Sequence, residues 1–130
     1  MSNGKLVLTP FEKALETLEA ILLLAKDDVV RDATIQRFEY TYELAWKMIK
    51  RHLDWAGHPD TASLSRHDLF REAANAKIIA DADAWFDYHQ ARNETSHTYE
   101  ATTAEEVYEV ARKFTPDARA LLIELKKHHG

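Results

Sequence analysis

The sequence predicts an all-α fold, and three observations carry that reading. Only three Gly and three Pro occur in 130 residues, too few turn-formers for a sandwich or barrel of many short strands. Ala, Leu, Glu and Lys, all strong helix formers, dominate the composition. Apolar residues recur at spacings of three and four through five successive segments. With 45% apolar and 30% charged residues, the chain has the composition of one soluble globular domain around a single core. No repeat, low-complexity tract or linker divides it. Residues 1–130 are therefore read as one domain, with 1–9 as an N-terminal tail and 127–130 as a frayed C-terminus.

Thr9-Pro10-Phe11-Glu12 places an N-cap Thr before a Pro at the first helical position, with a Glu set to close a capping box. The first helix continues through Phe11, Ala14, Leu15, Leu18, Ile21, Leu22 and Ala25 and ends near Asp27. The second runs from about Arg31 to Ala56, stopped by Gly57 and Pro59. Its main face holds Ile35, Phe38, Tyr42, Ala45, Trp46, Ile49 and Leu53. Tyr40, Leu44, Met48 and Trp55 form a second stripe roughly opposite, leaving Glu39, Glu43, Lys47, Lys50 and Asp54 on a narrower polar strip with favourable i,i+4 pairs. A helix with two apolar faces is either central in the fold or at a subunit interface. Ser65 caps a third helix through roughly Lys77, with Leu69, Phe70, Ala73 and Ala76 inward. A fourth starts at Asp81 to Asp83, whose carboxylates suit a helix N-terminus, and carries Trp85, Phe86 and Tyr88 toward Arg92. Thr103-Ala104-Glu105-Glu106 opens the last helix with a second capping box, and Pro116 either kinks that helix or restarts it.

Composition narrows the chemistry. With no Cys, disulfides, zinc-cysteine sites, iron-sulfur clusters and a cysteine nucleophile are excluded, and a reducing cytoplasm fits. The first ten residues hold too short an apolar stretch for a signal peptide, and the longest apolar run, Ala20 to Ala25, is far below the ~20 residues that cross a bilayer. The expectation is a cytoplasmic protein that neither spans nor binds a membrane. The net charge of −5 gives no global attraction for phosphate backbones, so any RNA or nucleotide role must come from a local site.

The segment from Ala91 to Glu100 is the densest in functional groups. Arg92 offers a permanently charged donor fork that fits phosphate oxygens, and His97 can exchange protons near neutral pH. Five positions apart on an ideal helix, the two would point about 140° apart. Convergence requires a helix end or turn between them, or a second subunit; otherwise the segment is a solvated helix terminus with Arg92 paired to Asp87 or Glu94. Asp81-Ala82-Asp83 lacks the preceding Gly-Ser turn of a nucleotidyltransferase magnesium site and is read as a cap. The histidines show no HExxH or comparable spacing, so no metal site is expected. Trp46, Trp55 and Trp85 could stack bases, but Trp46 lies in the main apolar stripe and is read as core.

Arg92-Asn93-Glu94-Thr95-Ser96-His97-Thr98-Tyr99 resembles the R-x4-H-x-Y signature of the HEPN family, in which a polar residue, often Asn, follows the Arg. Phe38 to Gly57 resembles the second helix of the HEPN branch known as nucleotidyltransferase substrate-binding proteins, and the likeness extends from Phe11 to about Leu125. The resemblance implies a five-helix up-and-down bundle that dimerises through its helices, two copies of the motif facing a common cleft. It implies a metal-independent endoribonuclease toxin, needing no cofactor and encoded beside a minimal nucleotidyltransferase that serves as antitoxin. By that likeness His97 transfers protons, Arg92 binds the scissile phosphate and Asn93 orients the pair. Tyr99 accepts AMP from the partner, placing negative charge where RNA would enter. Cleavage by 2'-hydroxyl attack acts on RNA and not DNA, and Arg and His are sufficient residue types for it.

Charge cuts the other way. From Asp81 to Val110 there are eight acids against Arg92 alone, so cations must come from elsewhere. Lys47, Lys50 and Arg51 are the candidate RNA-binding residues, with Arg66, His67 and Arg71 on the third helix. The alternative implied by the family name is a non-catalytic subunit that binds a substrate or nucleotide for the nucleotidyltransferase. A helical dimer whose polar segment only caps helices is the third.

Overall fold

The structure is a computed structural model that describes residues 4–130; residues 1–3 of the expected tail lie outside the described residues. It holds five α-helices: α1 Thr9–Ile21, α2 Asp28–Trp55, α3 Arg66–Asn75, α4 Ala82–Asn93 and α5 Ala101–His129. Short 3-10 turns at Thr61–Ser63 and Glu94–His97 sit in two of the connections, and there is no strand among the described residues. The long helices α2 and α5 pack on each other as a spine. The helix α1 packs against both, and α3 and α4 pair beside them.

Phe114 of α5 is at the aromatic centre of the core. Its ring meets Phe38, Trp85 and Tyr88 edge-on at centroid distances of 5.2, 5.6 and 5.3 Å. All four are buried. Such edge-to-face pairs add to the burial of large apolar rings, and they tie α2, α4 and α5 into one core. The main stripe of α2 is inside except for Trp46, which is only half-buried. In the second stripe only Met48 is buried. The helix α2 touches each of the other four helices, so its main stripe is central in the fold, while Tyr40, Leu44 and Trp55 of the second stripe are not buried by them.

The Asp27, Ser65 and Asp81 side chains cap α2, α3 and α4 by accepting N–H bonds from Val30, Asp68 and Asp83. Several expected boundaries move. The helix α1 ends at Ile21, so Asp27 begins the next helix rather than closing this one. Thr9 is not a cap: Leu8 is buried in the core, the helix starts one residue earlier, and the Glu12 carboxylate takes Lys126 of α5 at 2.6 Å. Likewise α5 starts at Ala101, ahead of Thr103, and no side chain caps it. Ala76 is exposed beyond the end of α3, where Lys77 takes a positive φ of 63°. Pro116 neither ends nor restarts α5. It lies on the exposed face, as does Arg112, whose carbonyl loses its partner, so water can satisfy that group.

The C-terminal end also departs from expectation. Residues through His129 are helical, and His129 is buried rather than frayed. Leu6 donates its backbone N–H to His129 Nδ1 at 3.1 Å, which places the ring proton on Nε2. Nε2 then donates to His52 Nδ1 at 2.9 Å. The last turn is held because one imidazole joins the N-terminal segment to the end of α2.

Candidate functional site

Arg92 is in the last turn of α4, and the α-helix stops directly after Asn93. The 3-10 turn Glu94–His97 follows, so a helix end lies between Arg92 and His97, as their convergence requires. The half-buried Arg92 guanidinium turns toward α2, donating Nε–H to Glu43 Oε2 at 2.8 Å, with Glu39 Oε2 3.9 Å from Nη1. Asp87 and Glu94, the neighbours expected from spacing, are not its partners. The Thr95 hydroxyl, 2.8 Å from the Arg92 carbonyl and 3.1 Å from Glu39 Oε2, holds the turn against the same helix. Asn93 is exposed. His97 is exposed at the end of the turn, with its ring edge-on to Tyr99 at 6.3 Å. Tyr99 is 80% exposed. Within one chain the structure therefore gathers His97 with Tyr99 and Arg92 with Glu43. No hydrogen bond or ring contact joins the two pairs among the described residues.

Beside Arg92, Glu43 Oε1 accepts the Trp46 indole N–H at 3.0 Å. Arg66 lies over that indole, its guanidinium carbon 3.5 Å from the ring centroid. Lys47 Nζ is 5.9 Å from the same ring, and Lys50 lines a shallow depression of about 170 Å³ with Trp46 and Arg66. Arg51 is exposed one turn beyond Lys47. One turn before Arg92, His89 Nδ1 lies 2.9 Å from the Tyr42 hydroxyl. Burial, reinforced by the Arg66 charge, holds the His89 imidazole below its ordinary value, so it is neutral at pH 7. Burial pushes the Tyr42 hydroxyl well above its ordinary value, so it stays protonated. On the other side of α4, a groove of about 510 Å³ runs against α5. Its floor includes Ala91, Val107 and Val110, and its rim carries Asp87, Glu94 and Glu106 against Lys113, the wrong sign for a phosphate.

Residues 6–127 match the family described as nucleotidyltransferase substrate binding protein like. This chain belongs to that family. A Haemophilus influenzae protein named probable ribonuclease HepT is 32% identical, in an alignment covering 99% of this chain and 98% of that protein. A solved H. influenzae structure, described as the fold of a substrate binding domain of a nucleotidyltransferase, superposes with a TM-score of 0.86 at 30% identity. It covers 92% of this chain and 99% of that one. A Thermus thermophilus structure gives 0.76 at 29% identity, covering 88% of this chain and 98% of that one.

In this nucleotidyltransferase substrate binding protein like chain, the all-α five-helix bundle and the family likeness drawn from Phe38–Gly57 and Arg92–Tyr99 both hold. Trp46 is a correction. Its side chain packs against the core from the rim of the α2 stripe but is only half-buried, under Arg66 at the start of α3. The sequence also places Glu39 and Glu43 on a narrow polar strip with i,i+4 partners, whereas Glu43 links Trp46 to Arg92. The signal was available in part: two carboxylates one turn apart, flanked by buried Phe38 and Tyr42, sit too near the core to lack cationic partners. No group of three His, Asp or Glu side chains is arranged to hold a metal ion among the described residues. No helix among them is long and apolar enough to cross a membrane.

Proposed function

We propose that this chain is a metal-independent endoribonuclease toxin of HEPN type, acting in the cytoplasm as a homodimer. Its activity is controlled by AMP transfer from a cognate minimal nucleotidyltransferase to Tyr99. The observation that carries the reading is the helix end between Arg92 and His97, which frees the imidazole from the α4 register and sets it beside exposed Tyr99. The match to a family containing a probable ribonuclease supports the same reaction class. The ribose 2'-oxygen attacks phosphorus, the bond to the 5'-oxygen breaks, and a 2',3'-cyclic phosphate forms. His97 takes the 2'-hydroxyl proton or delivers one to the departing 5'-oxygen. Arg92 binds the non-bridging oxygens as charge accumulates on them, and Asn93 orients the pair. Within one chain Arg92 turns toward α2 and His97 toward solvent, and in the proposed homodimer two copies of the motif face a common cleft. AMP on Tyr99 puts a phosphodiester against His97 and blocks RNA by occupancy and repulsion.

The test is incubation of purified protein with RNA in EDTA. Cleavage with cyclic-phosphate ends is expected, and His97→Ala is expected to abolish it. Equal activity in His97→Ala eliminates the proposal. Intact-protein mass spectrometry, with and without the nucleotidyltransferase and ATP, is expected to show AMP-sized increments on Tyr99.

A second reading is favoured by the Arg92–Glu43 ion pair, which neutralises part of the charge that catalysis needs. In that reading the chain binds a substrate or nucleotide for the nucleotidyltransferase and performs no chemistry. It predicts a stable complex without RNA cleavage.

A further inference from the structure

Trp46 and Arg66 stand beside the Arg92 motif and have no role in the chemistry above. The Arg66 guanidinium lies on the indole at 3.5 Å, close enough for plane-to-ring stacking. The indole is fixed in turn by its N–H bond to Glu43, whose other oxygen takes the Arg92 guanidinium. A single carboxylate thus sets the spacing between the stacked pair and the phosphate-gripping residue. Lys47 and Lys50 flank the indole, Trp46 and Arg66 are each half-buried, and Arg66 also hydrogen-bonds the Tyr42 hydroxyl.

This arrangement has the parts that recognise single-stranded RNA. Unstacked bases lie well on guanidinium planes, and lysines serve the phosphates as point charges. Trp46 and the Tyr42 hydroxyl position the Arg66 guanidinium before any ligand arrives, which lowers the ordering cost of binding. The sign of the surface agrees. The groove across α4 presents Asp87, Glu94 and Glu106, so a polyanion reaching Arg92 is directed toward the α2–α3 side.

We propose that Trp46 and Arg66 form a base-stacking subsite for single-stranded RNA, with the base on the outer face of the Arg66 guanidinium and the flanking phosphates on Lys47 and Lys50. The subsite rests on the ribonuclease reading and gives it a substrate preference: strands with an unpaired base next to the cleaved phosphate.

The experiment uses the full chain, a fluorescein-labelled single-stranded RNA and an oligonucleotide of equal length lacking its central bases. Anisotropy is measured in the His97→Ala background, where no cleavage occurs, and KM and kcat in the His97-intact protein. Arg66→Lys keeps the charge and removes the plane. It is expected to weaken binding of the base-bearing strand by about five- to twentyfold, to leave the abasic strand unchanged, and to place the loss in KM. Trp46→Phe keeps a ring under the guanidinium and is expected to lose less. If Arg66→Lys binds both strands within twofold of the parent, the subsite is overturned while cleavage can still stand. If the parent binds with the base preference but never cleaves, the ribonuclease reading falls and the subsite stands. A parent that neither binds nor cleaves overturns both.

Discussion

Acidification should destabilise this fold through one buried imidazole pair. His52 is 3% exposed, and its Nδ1 accepts the His129 Nε2–H at 2.9 Å. Burial first, then the nearby His128 and His129, push the His52 imidazole down to about 4. His129 is lowered as well, again chiefly by burial. The unfolded chain protonates His52 near the ordinary value of about 6.5 while the native state does not. The native state therefore keeps its full stability above about pH 7 and loses it as pH falls from about 6.5 toward 4. At about 1.4 kcal/mol per pH unit, His52 alone costs about 2 kcal/mol by pH 5 and about 3 kcal/mol by pH 4. Against a typical domain stability of roughly 5–15 kcal/mol this is a large fraction, and it corresponds to a fall of about 8 °C in Tm between pH 7 and pH 5. Thermal unfolding followed by circular dichroism at constant ionic strength measures it. His52→Asn keeps a small polar group near Nδ1 but cannot titrate, so its loss between the two pH values should be about 2 kcal/mol smaller. Equal losses in the parent and in His52→Asn would refute the assignment of His52 as a buried neutral group.

Other expectations follow from particular contacts. Phe114→Ala removes the ring that Phe38, Trp85 and Tyr88 surround, and should cost about 4 kcal/mol in urea unfolding. Gly57 has a φ of +91°, and a Cβ there would meet nothing within 4 Å. Gly57→Ala should therefore lose about 1 kcal/mol through backbone conformation alone, and an unchanged denaturation midpoint would contradict this. His97 is exposed, so His97→Ala should shift stability by less than about 0.5 kcal/mol while abolishing RNA cleavage. The Arg92–Glu43 pair is about one-third exposed on each side, so Glu43→Gln should change stability by less than about 1 kcal/mol. The same variant keeps an acceptor for the Trp46 indole and frees Arg92, so RNA should bind more tightly at low salt. Weaker binding would show that Glu43 matters more for aiming the guanidinium than for masking it.

Helix number and inward faces were legible because they follow from local periodicity, and the caps at Ser65 and Asp81 because a cap is a contact between near neighbours. Contacts between residues far apart in sequence were not. Glu12 fits a local capping box, but its carboxylate finds Lys126 on α5 instead. His128-His129 reads as a frayed end by composition, yet His129 meets Leu6 and His52 in space. The helix end between Arg92 and His97 follows from the polar run after Ala91. The turn of Arg92 toward Glu43, 49 positions away, does not. Trp46 shows the limit of periodicity: a stripe says which direction a side chain points, and only the neighbouring element decides whether anything covers it.

The 29-residue helix α5 is the last element in the chain, and it contributes Phe114, Leu121, Leu122 and Leu125 to the interior along with the imidazole of His129. A nascent chain leaving the ribosome therefore exposes the apolar faces of α1, α2 and α4 until α5 has emerged. Closure of this core waits for α5, and a product cut short before it has nothing with which to close its interior.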